Sequence, residues 1–179
     1  MRLGIVGCTL LGLVAIALTT VGPSNHVAGA GTSVLLVTDS TNAGDPFGPY
    51  LGEILRAEGF PTFGTTDIAS VTSSSLAPYA VVILGPATAV SAPLVTTFTT
   101  YVQGGGRLIA MHPPASLAAL FGVSSAGTTT NEGYIAINGG GLAAGFTTTP
   151  LQVHASADNY NLAGATKLAS LNSSFTTAT

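Results

Sequence analysis

Charge is what this sequence has least of. Four residues of 179 are Lys or Arg and seven are Asp or Glu, a charged share of 6% against about 25% in an ordinary soluble domain. A nucleic-acid surface needs clustered basic side chains, so DNA and RNA are excluded as partners. Tryptophan is absent and cysteine occurs once, as Cys8. A chain that loses its first residues therefore forms no disulfide and no thiolate metal site. No repeat of solenoid or propeller period is visible. What is abundant is apolar residues, 46% of the chain, together with 23 glycines. Such a chain builds an ordinary core and solvates its surface with Ser, Thr, Asn and Gly.

The N-terminus has the three-part order of a secretory signal. Arg2 is its basic residue, Leu3 to Val21 is almost uncharged, and Gly22-Pro23 leads into a polar run through His26. Ala28-Gly29-Ala30 places small residues where a signal peptidase reads them, so cleavage is expected after Ala30, leaving a single domain over 31–179. An uncleaved anchor is the competing reading, since the apolar stretch approaches the roughly 18–20 residues that span a bilayer. Its glycines and threonines favour cleavage, and with it a secreted or cell-surface protein without a stable membrane span. Lipidation at Cys8 is set aside, because too few apolar residues precede it. Removing Arg2 takes one positive charge from a net of −3, giving −4.

Beyond Ala30 the pattern alternates. Ser33 to Thr38 is a continuous apolar run, as in a strand buried on both faces. Asp45-Pro46 is expected to open a helix with Asp45 as N-cap, burying Phe47, Tyr50, Leu51, Ile54 and Leu55 and ending at Gly59. Pro61 to Thr65 is a short strand, and Asp67 to Leu76 a loop or short helix. Tyr79 to Leu84 is a strand closed by Gly85-Pro86. Ser91 caps a second helix whose inner face is Leu94, Val95, Phe98, Tyr101 and Val102, and Gly104-Gly105-Gly106 ends it before the strand Arg107 to Met111. This order implies βαβ units and an α/β sheet. Later, Ser116 to Phe121 is a short helix stopped by Gly122, and Tyr134 to Ile137, Leu151 to His154 and Thr166 to Leu171 are strand candidates. The polar end, Asn172 to Thr179, carries no stop signal, so further modules of a longer chain are expected downstream.

In an open α/β sheet, ligands bind beyond the carboxyl ends of the strands. The residues delivered there are Thr38, Asp39 and Ser40, then Gly85 and Pro86, then His112-Pro113-Pro114.

The segments FGPYLGEILRAEGF (47–60), LAPYAVVILG (76–85) and FTTYVQGGGRLIAMHPP (98–114) resemble the class I glutamine amidotransferase-like superfamily, most of all its trehalose-utilisation-type branch. More closely, they resemble the N-terminal domain of large secreted bacterial proteins. The resemblance covers 33 to about 171 and implies a flavodoxin-like sheet. It also implies that the turn after Arg107 to Met111 is where glutaminase members carry a Gly-x-Cys-x-Gly elbow, whose cysteine attacks the amide through a thioester. This chain reads Ala110-Met111-His112-Pro113-Pro114 there. It has no nucleophile, and Pro113 has no backbone N–H to offer an oxyanion. Glutamine hydrolysis by the family mechanism is therefore excluded. The branch itself often has a histidine at this turn, so His112 fits it.

His112 is the foremost candidate for a ligand contact, with Asp39 positioned to orient it and Glu132 entering the crevice from its loop. The plainer reading, a histidine that caps the strand end, weighs more, since a lone His seldom defines chemistry. His154 and Asp158 are spaced as two ligands on a helix. Leu151 to His154 alternates like a strand, and two ligands do not complete a metal site. Gly139-Gly140-Gly141 lacks the Lys and Ser/Thr of a phosphate loop and is expected to be a turn. Asn172-Ser173-Ser174 is a glycosylation sequon, relevant only in a eukaryotic host. No cofactor or metal is expected.

The expectation is a secreted, non-catalytic amidotransferase-like module that binds a small ligand, a carbohydrate foremost, or spaces other domains. A hydrolase or sugar-modifying enzyme using His112 with Asp39 or Glu132 is the first alternative. A structural or adhesive module is the second.

Overall fold

The computed structural model describes residues 14–17, 33–42, 47–87, 89–138 and 141–175. At the edge of the main sheet, the backbone of β1 (Val14–Ala17) runs antiparallel to β5 (Arg107–Met111). The other strands, β2 (Val34–Thr38), β3 (Gly64–Asp67) and β4 (Val81–Leu84), are parallel to β5 and to each other, in the order β1-β5-β4-β2-β3. The expected αβ alternation is therefore present as a four-stranded parallel sheet flanked by helices. The expected cleavage at Ala30 lies outside the described residues. So does the helix start at Asp45-Pro46.

The apolar runs of β2, β4 and β5 feed two cores. Leu35, Val37, Val82, Leu84, Leu108 and Ala110 face one side, while Leu36, Ile83 and Met111 face the other. Alternation along a strand sends successive side chains to opposite faces, so a run apolar at every position must be covered on both. The larger core is covered by α2 (Ser73–Leu76), α3 (Ala92–Gln103) and α4 (Ala115–Ala118). Phe98, Leu76, Leu117 and Phe121 are its largest fully buried side chains from these helices and the 3-10 turn that follows α4. The opposite core is covered by α1 (Phe47–Ala57) through Leu51, with Phe47 and Leu55 packed alongside.

The buried face of α1 differs from the expectation. Gly48, Leu51 and Gly52 are buried, whereas Tyr50 is 52% and Ile54 44% exposed. The glycines explain the rotation. A Cβ at Gly48 would stand 3.1 Å from Thr38 Cγ2, and one at Gly52 3.5 Å from both Leu36 and Phe63. With no side chain there, the helix backbone seats directly on β2 and turns Tyr50 and Ile54 outward. The helix ends as expected: Gly59 has φ +86 and the Phe60 N–H donates to the Leu55 carbonyl. The close of α3 is similar, with the Gly106 N–H reaching the Tyr101 carbonyl, and a Cβ at Gly106 would run into the Tyr101 ring.

After α4 the chain leaves the parallel sheet at Gly122 (φ +68). It then builds two small antiparallel sheets. The first pairs β6 (Val123–Asn131) with β9 (Ser156–Leu162). The second has the order β10-β7-β8, from β7 (Tyr134–Ile137), β8 (Leu151–Gln152) and β10 (Ala169–Asn172). Ile135, Val153, Ala157 and Ala169 form a separate core between them. The expected strand over Leu151 to His154 is only two residues long, and the Thr166 to Leu171 candidate is shifted to Ala169–Asn172. The Thr-rich segment at 128–130 belongs to β6.

Candidate functional site

Three parallel strands end close together at the edge where ligands were expected. The turn after β2 is built by its own polar groups: the Asp39 carboxylate accepts from the Thr41 N–H at 2.9 Å and from the Thr41 hydroxyl at 2.5 Å. The Ser40 N–H donates at 2.9 Å to Asp67, which also accepts from the Ala69 N–H at 2.8 Å. The Ser40 side chain and these amides hold the Asp67 carboxyl below its ordinary range. At the end of β4, the Gly85 N–H donates to the Val37 carbonyl at 2.8 Å. A Cβ on Gly85 would lie 3.3 Å from the Gly48 backbone, so glycine lets α1 approach the strand ends. Asn42 Nδ2 bridges to the Pro86 carbonyl at 3.4 Å.

The end of β5 is the most constrained point. His112 has φ 51, the left-handed region that a residue with a Cβ enters at a cost of about 1–2 kcal/mol. Such a conformation persists only where its surroundings fix it. Here two side chains of β9 do so. His112 Nε2 lies 2.7 Å from Asp158 Oδ2, and the Tyr160 hydroxyl donates to the Pro113 carbonyl at 3.3 Å. Asp158 and Tyr160 are two positions apart on one strand, so they project from the same face and grip consecutive residues of the turn. The His112 and Asp158 side chains are 33% and 40% exposed, enough for a solute to reach. Burial raises the Tyr160 phenol above its ordinary pKa, and the neighbouring Asp158 charge adds to this. Tyr160 therefore stays a neutral donor.

The carboxylate that meets His112 is thus Asp158. Glu132, also in the left-handed region at φ 49, pairs instead with His154 at 2.8 Å. This second pair is open to solvent. His154 precedes β9 and Asp158 lies within it, so the two do not share a helical face. Among the described residues, no group of three or more His, Cys, Asp or Glu is placed to hold a metal ion. Gly139 and Gly140 lie outside the described residues.

Sequence reasoning missed Asp67 and Tyr160 as site residues, and it weighed Asp158 only as a metal ligand. The one signal for the clamp was Asp-x-Tyr in Ser-Ala-Asp-Asn-Tyr-Asn-Leu, a spacing that shares a face only if the segment is a strand. Tyr160 also lines a shallow groove of about 310 Å³ between β9 and β10, with Asn159, Lys167, Ser170 and Asn172. Ala169 and Leu171 complete its lining, so polar side chains and one ammonium group stand beside two apolar ones.

Comparison with family models, curated proteins and solved structures finds no match. Among the described residues, no helix is long and apolar enough to cross a membrane.

Proposed function

We propose that this chain is an exported, flavodoxin-like and amidotransferase-like module that binds a small polar ligand, a carbohydrate foremost, at the His112 edge without hydrolysing glutamine. The observation that carries this reading is the turn after β5. A strained histidine stands where the resemblance implies a nucleophile, its Nε2 is engaged by Asp158, and the next residue is Pro113. The turn supplies a polar contact and no oxyanion amide. The groove beside Tyr160 adds the amides of Asn159 and Asn172, the Ser170 hydroxyl and the Lys167 ammonium as hydrogen-bonding groups for a polar solute.

The test is titration of the exported protein with neutral mono- and disaccharides, followed by NMR of the histidine rings. Shifts at the His112 ring are expected, and calorimetric titration should show the saccharide affinity lost in His112→Ala. Glutamine or ester hydrolysis that disappears in His112→Ala would overturn the non-catalytic reading.

The Asp158 contact also favours a second reading. With Asp158 accepting from Nε2–H, the lone pair of His112 is on Nδ1, and an oriented imidazole is the base of a hydrolase or sugar-modifying enzyme. In that case, turnover of an activated ester or glycoside would fall by roughly 10²–10⁴ in His112→Ala.

A further inference from the structure

We propose that the mature protein pairs with a second copy of itself through the outer edge of β5. The inference rests on the export reading above, because the strand now lying on that edge is β1, within the segment expected to be cleaved.

The position of β1 shows what the edge accepts. Its backbone runs antiparallel to β5, with Val14 opposite Met111, Ala15 opposite Ala110, Ile16 opposite Ile109 and Ala17 opposite Leu108. When 1–30 are cut away, the amides and carbonyls that β1 engaged on β5 lose their partners. The strand they belong to carries Leu108, Ala110 and Met111, all buried. An open, apolar edge of this kind is a template for pairing unless charge, proline or a bulge blunts it. β5 has none of these along Leu108 to Met111, and its one charge, Arg107, is at its start.

The same strand is self-complementary. An antiparallel pair of two β5 strands centred on Ile109 sets Ile109 opposite Ile109, Leu108 opposite Ala110 and Arg107 opposite Met111 of the other copy. The two arginines then lie at opposite ends of the ladder, so no like charges meet. This register has the two-fold symmetry that a closed dimer requires. The opposite edge, β3, offers no equivalent: its sequence is Gly-Thr-Thr-Asp, and Asp67 there is committed to Ser40 and Ala69.

The full chain is expressed in an exporting host and the exported protein is purified. Intact mass should begin at Gly31, and light scattering at ~100 µM, in the range where unpaired edges associate, should give twice the chain mass. Ile109→Lys, which places two ammonium groups face to face at the centre of the ladder, should give the monomer mass with an unchanged circular dichroism spectrum. Should that variant not fold, a synthetic peptide of residues 12–19 added to the unaltered protein should halve the molar mass by taking the edge. Exported protein that retains 1–30 overturns the inference through the export reading. A correctly cleaved protein that is monomeric, or a dimer that neither Ile109→Lys nor the peptide dissociates, overturns the edge pairing itself.

Discussion

His112 and Asp158 stand 46 positions apart in sequence and 2.7 Å apart in space, and this contact fastens the end of the parallel sheet to the antiparallel part of the chain. Because both side chains are over a third or close to a third exposed, water competes for the pair. A double-mutant cycle of His112→Ala and Asp158→Ala in urea should give a coupling of about 1 kcal/mol or less, shrinking with added salt. The left-handed backbone gives this prediction a second arm. His112→Gly loses the pair and also relieves the strained φ, so it should be more stable than His112→Ala by about 1 kcal/mol.

Tyr160 holds the next residue of the same turn. Tyr160→Phe removes the donor to the Pro113 carbonyl and keeps the ring, so the expected loss is about 0.5–1.5 kcal/mol. Hydrogen exchange should quicken at the turn after β5 and in β9, while α3 stays protected. Uniform quickening across all elements would show instead that the bond serves the whole fold equally.

Tyr101 predicts an alkaline limit to stability. Its phenol donates to the Tyr79 carbonyl at 3.0 Å, and burial pushes its pKa up to about 12 from an ordinary 10. The folded state then keeps a proton that the unfolded state releases. Its stabilising effect is complete below pH 10 and is lost as pH rises through about 12. Denaturant midpoints measured across this window should fall in the unaltered protein. Tyr101→Phe should be less stable at neutral pH and show a flatter profile above pH 10.

Asp67 works in the opposite direction. Its carboxyl is held below 3.8 by the Ser40 hydroxyl and the Ala69 and Ser40 amides. The contribution is present above the unfolded value and disappears as pH falls through the lower folded one. Asp67→Asn should therefore lose stability at neutral pH and show a shallower decline below pH 4 than the unaltered protein. Thermal melts of both proteins along an acid series check this.

The parallel half of the fold was legible because burial on two faces leaves a sequence signature. Val34 to Thr38, Val81 to Leu84 and Arg107 to Met111 are runs that only a doubly covered strand needs. The strands β6 and β9 left no such trace. In β6 only Val123 is buried, and in β9 only Ala157, so hydrophobic periodicity had nothing to report. What remained was the β-branched threonines, a propensity too weak to separate strand from loop. The site suffered with them. His112 was found because it follows a strongly patterned strand, and its partner was missed because Asp158 sits in one with no apolar pattern. The face of α1 was misread for a different reason: a helical stripe predicts which residues are apolar, but Gly48 and Gly52 decided which side seats on the sheet.

Two glycines separate backbone strain from steric collision. Gly122 and Gly127 both have φ 68, so alanine at either costs about 1–2 kcal/mol for the left-handed conformation. Their surroundings differ. A Cβ at Gly127 meets nothing within 4 Å, whereas at Gly122 it would lie 2.9 Å from the Ala165 nitrogen and 3.2 Å from the Gly164 carbonyl carbon. These contacts are with backbone, which cannot swing aside as a flexible side chain would. The Gly122 carbonyl also accepts from the Ala163 and Ala165 N–H groups, at 2.7 and 3.0 Å, so any shift there disturbs the loop that follows β9. Gly127→Ala should thus show the conformational cost alone. Gly122→Ala should be the more destabilising of the two, with hydrogen exchange quickened from Ala163 to Ala165. Equal losses in denaturant titrations of the two variants would show that the loop gives way without cost, and that β9 does not depend on this junction to hold Asp158 and Tyr160 over the His112 turn.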